Sequence, residues 1–190
     1  MKLLEQRIQN DAQILPGNVI KVDSFLNQQI DVDLVLQCSK EWHDLFENEK
    51  VTKILTIEST GIGIACLAAT HFGVPVVYAK KTVSAVDTQK YIISQVVSYT
   101  HGTVYDVYCN KDFIKYGDRV LIIDDFLANG SALKALIKLV EKSGATLVGA
   151  GIAIEKLYKN GGNNIREKGY RIESLAKIAA IDEKGVITFG

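Results

Sequence analysis

The chain has 190 residues, enough for one domain with its own core; at this size roughly two thirds of the unfolded surface should disappear on folding. Hydrophobic residues make up 47% and charged residues 23%, and 22 Lys plus Arg balance 22 Asp plus Glu. Zero net charge gives no electrostatic reason to expect DNA, RNA or an anionic membrane as partner, although it leaves room for a local basic pocket.

Residues 2–11 read as a short helix, followed by a Pro16-Gly17 turn and a brief strand over 19–22. The first seven residues include Glu5 and no apolar signal core. The longest apolar stretches, about eight residues, are too short to span a bilayer, so a cytoplasmic protein is expected. Apolar residues recur at helical spacing over 31–47 behind Asp31, a candidate N-cap. Then come four continuously apolar runs, 53–57, 74–79, 120–123 and 147–154, without the alternation of a half-exposed sheet. Such runs mark strands covered on both faces, as in a parallel sheet. Helical segments 62–72 and 131–142, ending at Gly73 and Gly144, separate them and give βαβ units. Residues 81–90 form a polar stretch long enough for a mobile loop, and 91–109 read as an antiparallel hairpin at a sheet edge, turning at Thr100-His101-Gly102-Thr103. Two short strands are expected over 170–189, around a turn at Asp182-Glu183-Lys184-Gly185.

Cys38, Cys66 and Cys109 have neither metal nor disulfide spacing and read as small buried thiols. His43, His71 and His101 read as surface residues, and no nucleophile–base arrangement emerges.

The segment 120–132 carries the most information: an apolar strand, Asp124 and Asp125, the loop Phe126-Leu127-Ala128-Asn129-Gly130, then a helix opening at Ser131 and Ala132. Ligands of open α/β sheets bind beyond the carboxyl ends of strands. There the loop amides and the helix N-terminus can cradle a phosphate, with Gly130 free to take a positive φ and Ser131 offering a hydroxyl at the cap. The paired carboxylates would repel that phosphate. They suit the 2′ and 3′ hydroxyls of a ribose, or a magnesium ion bound to it. The loop Glu58-Ser59-Thr60-Gly61-Ile62-Gly63 repeats the anion-cradling pattern more weakly, and an ordinary strand-to-helix turn would look the same. Neither loop has the lysine of a Walker A motif, and Gly61-Ile62-Gly63 lacks the third glycine of a dinucleotide fingerprint.

As a pattern, 120–132 resembles the phosphoribosyl-pyrophosphate signature of the type I phosphoribosyltransferases. The segments 19–31, 56–62 and Ile154-Glu155-Lys156 are similar to the hood, loop and strand end of xanthine-using bacterial members of that family. The resemblance implies one domain over 1–190, with a central mainly parallel sheet flanked by helices and a small hood from about 1–30 and 155–190. It implies that Asp124 and Asp125 hold the ribose and Ala128, Asn129, Gly130, Ser131 and Ala132 the 5-phosphate. Glu58, Ser59, Thr60, Gly61, Lys80 and Lys81 would hold the pyrophosphate, with the lysines reaching a partner subunit's site in a homodimer. Relatives tend to carry Arg at position 80, and Lys80 lacks Arg's two-pronged fork. Ile20, Asn27 and Lys156 would meet the base, a lysine suiting the C6 oxygen of an oxopurine better than adenine's amino group. The implied activity joins ribose 5-phosphate to a purine, with xanthine expected first, Mg2+ accompanying phosphoribosyl pyrophosphate, and the 81–90 loop excluding water. A hypoxanthine–guanine or adenine enzyme is the near alternative. A non-catalytic regulator sensing phosphoribosyl pyrophosphate is the distant one, disfavoured because no helix-turn-helix precedes the α/β region.

Overall fold

The computed structural model describes residues 1–81, 88–98 and 103–190. Helix α1 (Lys2–Asp11) leads into a two-stranded antiparallel ribbon, β1 (Gln13–Leu15) and β2 (Val19–Lys21), then a wide helical turn, Asp23–Asn27. Helix α2 (Val32–Phe46) starts where expected, the Asp31 carboxylate accepting the Leu34 amide at 3.1 Å. There follow β3 (Lys53–Ile57), α3 (Thr60–Phe72), β4 (Val76–Ala79), β5 (Tyr91–Ser98), β6 (Thr103–Asn110), β7 (Arg119–Leu127), α4 (Ser131–Ser143), β8 (Thr146–Lys156), α5 (Gly161–Arg166), β9 (Ile172–Ile181) and β10 (Ile187–Phe189).

Six strands form the central sheet in the order β10-β9-β8-β7-β3-β4, all parallel except β10. The apolar runs are buried on both faces, as their lack of alternation requires. Along β7, Leu121 and Ile123 enter the core beneath α1, α2 and α3, while Val120 and Ile122 enter the core beneath α4. Helix α2 lays two aromatics on β8 where that strand is glycine. A Cβ at Gly149 would lie 2.7 Å from Phe46 Cε1, and one at Gly151 would lie 2.9 Å from Trp42 Cδ1. Truncating Trp42, which is fully buried, should cost about 3–5 kcal/mol.

Several details differ from the sequence reading. β7 extends through Leu127, because β8 is eleven residues long and keeps pairing with it as far as Leu127 and Glu155. Phe126 and Leu127, read above as the start of the loop, are therefore strand residues like Asp124 and Asp125, and Asp124 pairs with Ile152. Helix α3 begins at Thr60, two residues early, and β1 went unread because a three-residue strand has almost no pattern of its own. β9 is ten residues long and joins the main sheet beside β8. The β5–β6 hairpin forms its own two-stranded sheet over α4, buttoned to the end of β4 by reciprocal Lys80–Tyr108 hydrogen bonds of 3.0 Å. Its expected turn around His101 and Gly102, and most of the loop expected at 81–90, lie outside the described residues. Cys38 and Cys109 are buried, but Cys66 is exposed on α3. His43 packs edge-on against Phe72, ring centres 5.2 Å apart. Among the described residues no helix is long and apolar enough to cross a membrane.

Candidate active site

The site assembles at the carboxyl ends of β3, β7 and β8. Asp124 is 4% exposed, held in β7 by pairing with Ile152. The Asp125 amide donates to Asp124 Oδ1 at 3.0 Å, and the Phe126 amide to Asp125 Oδ1 at 2.8 Å. Burial, then the neighbouring Asp125 charge, push the Asp124 carboxyl well above its ordinary range, with Lys81 pulling weakly the other way. A carboxylate so poorly compensated will gain from hydroxyl donors or a cation.

Beyond Leu127 the chain turns through Ala128–Gly130 into α4. Gly130 occupies the N-cap with φ +77°, so Ser131 is the first helical residue and not the cap, and no side chain caps this end. The helix N-terminus and loop amides are left to serve an anion.

The second loop, after β3, behaves similarly. Ser59 flanks α3 without a side-chain cap bond. The Glu58 carboxylate is committed to the protein, accepting the Lys81 amide at 2.6 Å, so it braces the loop against the end of β4. Gly61 is required by crowding: a Cβ there would sit 2.2 Å from Thr56 Oγ1 and 3.1 Å from Asp124 Oδ1. The Thr56 hydroxyl is buried without a hydrogen-bond partner. Lys80 is exposed, its Nζ 6.0 Å from the Tyr78 ring centre, and Lys81 is exposed beside it.

Of the residues assigned to the base, Lys156 ends β8 and is half-buried, its Nζ 3.4 Å from the Asn18 carbonyl oxygen and 5.6 Å from the Phe126 ring centre. Burial, then the Lys159 charge, lower its pKa. Asn27 closes the wide turn of the hood; its Oδ1 accepts the Thr60 hydroxyl at 2.5 Å, and its Nδ2 lies 3.4 Å from Asp23 Oδ1. The Ile20 side chain is 6% exposed and buried in the core under α1 and α2, leaving its main chain as the part it can offer.

The sequence reading missed three neighbours. Phe126 stood inside the signature, but only its contact with the Lys156 ammonium sets it apart from its neighbours. Thr56 looked like a strand residue, and its unpaired hydroxyl appears only once Gly61 is seen against it. Tyr105 lies on the inward face of β6 with Val107 and Cys109; burial and the Asp124 charge both raise its pKa. The two residues belong to separate sheets, so no local pattern signals that influence.

The strand order, the acid pair on β7 and the two amide-lined loops define a type I phosphoribosyltransferase fold. The sequence profile described as "Phosphoribosyl transferase domain" matches residues 21–183, and the chain belongs to that family. It is 52% identical to a xanthine phosphoribosyltransferase of Lachnoclostridium phytofermentans over 190 residues, covering 100% of this chain and 98% of that one. It is 50% identical to a xanthine phosphoribosyltransferase of Bifidobacterium animalis subsp. lactis over 192 residues, covering 100% and 99%. Among solved structures it is similar to adenine phosphoribosyltransferase from Giardia lamblia complexed with 9-deazaadenine, with TM-score 0.78 and 19% identity over 93% of this chain and 98% of that one. The Trypanosoma brucei adenine enzyme gives TM-score 0.77 at 18% identity, over 96% and 82%. At such identities these structures establish the fold alone.

Proposed function

We propose that the protein transfers the 5-phosphoribosyl group of phosphoribosyl pyrophosphate to N9 of xanthine, giving xanthosine 5′-monophosphate and pyrophosphate in purine salvage. One observation carries this reading: Lys156 stands over Phe126 beside the acid pair of β7, in a chain about half identical, end to end, to xanthine phosphoribosyltransferases. An ammonium donates and cannot accept, so it matches the C6 oxygen of an oxopurine and mismatches adenine's amino group.

In this reading the bond from C1 to the pyrophosphate oxygen breaks, the bond from C1 to N9 forms, and the N9 proton leaves to solvent. Asp124 and Asp125 hold the ribose hydroxyls, where developing positive charge at C1 also favours nearby carboxylates. Ala128–Ala132 receive the 5-phosphate, while Ser59, Thr60 and Gly61, braced by Glu58, receive the pyrophosphate with Lys80 and Lys81. The base lies between Phe126 and the hood, with Lys156 on its C6 oxygen, Asn27 on a ring edge and the Ile20 main chain alongside. No side chain forms a covalent bond; the protein positions and solvates.

The site suits Mg2+ bound with the substrate. Two adjacent carboxylates, one buried and poorly compensated, match an ion that takes few protein ligands and keeps substrate oxygens and waters. Asp124 and Asp125 would hold it, and it would supply positive charge against the leaving pyrophosphate.

We further propose one cytoplasmic domain over 1–190, with hood elements from both ends, acting as a homodimer. Tyr78 (43% exposed) on edge strand β4 and Phe113 (56%) line one groove with Lys80, and these two exposed rings suit contact with a second copy. Sedimentation analysis tests the dimer. Pyrophosphate release from phosphoribosyl pyrophosphate and magnesium, with xanthine, guanine, hypoxanthine, adenine and uracil offered separately, tests the activity. Turnover dominated by another base would overturn the substrate, and no turnover with any base would overturn the enzyme.

A further inference from the structure

Behind the Ala128–Ala132 loop lies the first residue of α5, whose Gly161 amide donates to the Ala128 carbonyl at 3.1 Å. A Cβ on Gly161 would lie 2.1 Å from that oxygen, 2.5 Å from the Asn129 carbonyl carbon and 2.6 Å from the Gly130 nitrogen. The two backbones are in direct contact. Ile165, one turn on, closes the same contact, since a Cβ on Gly130 would meet its Cδ1 at 2.9 Å. Where α5 sits therefore decides where the loop sits.

Helix α5 cannot hold itself in place. It has six residues, opens on two glycines, and is far shorter than a helix stable in water. Its far end is anchored instead. Arg166 Nη1 and Nη2 donate to Glu155 Oε1 and Oε2, each at 2.7 Å, and Ser174 Oγ donates to Oε2 at 2.5 Å. Glu155 is 1% exposed; burial raises its pKa, but the Arg166 and Ser174 bonds outweigh it and leave the carboxyl below its ordinary value. Gly162 makes the room, because a Cβ there would fall 1.9 Å from Glu155 Oε1. Glu155 in turn pairs along the sheet with Leu127, the residue before the loop. A closed ring results: β7, loop, Gly161, Arg166, Glu155, and back to β7.

We propose that Glu155 and Arg166 are positioning residues for the 5-phosphate site, their two-pronged pair pressing α5 against the loop in the geometry that receives the phosphate. This rests on the reading of Ala128–Ala132 as that site. Glu155 and Lys156 are successive residues of β8 and point to opposite faces, so the clamp acts on the phosphoribosyl substrate and leaves the base pocket alone.

The test uses the full chain with Arg166→Met, and with Arg166→Lys, which keeps the charge but loses the fork. Ribose 5-phosphate binding is measured by calorimetry without base, and steady-state kinetics vary phosphoribosyl pyrophosphate and xanthine in turn. The Met variant should raise the ribose 5-phosphate Kd and the phosphoribosyl pyrophosphate KM about tenfold or more, the Lys variant less, with the xanthine KM within about twofold. Unchanged ribose 5-phosphate affinity in a folded variant overturns the proposal, as does an equal rise in both KM values. If the Met variant does not fold, the Lys variant decides by the same criteria. A wild-type protein that fails to bind ribose 5-phosphate removes the loop assignment itself.

Discussion

The Thr60 hydroxyl donates to Asn27 Oδ1 at 2.5 Å, so the loop after β3 and the turn of the hood are joined by one hydrogen bond. The bond ties loop to hood, and both substrates should sense its loss. Thr60→Val keeps the shape and removes the donor. At about 0.5–1.5 kcal/mol for such a bond, kcat/KM should fall about two- to tenfold for xanthine forward and for pyrophosphate in reverse. Thr60→Ser should restore both, and steady-state kinetics in the two directions decide it.

Replacing the acid pair separates function from stability. Asp124→Asn with Asp125→Asn should lower kcat by about a hundredfold or more while circular dichroism stays unchanged.

Asp124→Asn alone should be more stable than the parent at pH 8. The folded-state pKa of Asp124 is raised, so its protonated form favours the fold; that advantage is complete below the unfolded pKa and is lost as pH rises through the folded value. The gap between variant and parent should therefore be small near pH 4 and widen on going alkaline. Thermal melts across that range, without substrate, measure it.

Lys156→Gln should abolish the preference for oxopurines. The glutamine amide can donate or accept, so the ratio of kcat/KM for xanthine over adenine should fall about 10- to 100-fold. An unchanged ratio in competition assays removes Lys156 from the base pocket.

Gly61→Ala should be harmful although Ala favours helices. The added methyl meets Thr56 Oγ1 at 2.2 Å and Asp124 Oδ1 at 3.1 Å, on strands that cannot retreat. We expect a loss of about 1–3 kcal/mol in denaturant melts together with reduced turnover.

The fold was largely legible in the sequence because its signals are local. Continuous apolar runs gave the parallel strands, Asp31 gave the start of α2, and Gly73 and Gly144 gave the ends of α3 and α4. What escaped was set by partners distant in sequence. The extension of β7 depends on the length of β8, and Glu155 became a clamp only when Arg166 and Gly162 arrived around it. Of the candidate site, the Asp124–Ala132 segment could be read because strand, acids and loop are contiguous. The separation of Ile20, with its side chain in the core, from Asn27, bonded to Thr60, could not, since both lie in a hood whose packing no short motif encodes.

β3 and β7 are neighbours, yet the helices that follow them depart to opposite faces, α3 toward one core and α4 toward the other. The chain is thereby parted at the top of the sheet like cloth at the fork of a zip. The cleft is an outcome of winding direction, present before any polar side chain is chosen, so redesign of the base or phosphate contacts can proceed without having to hollow out a place for the ligand.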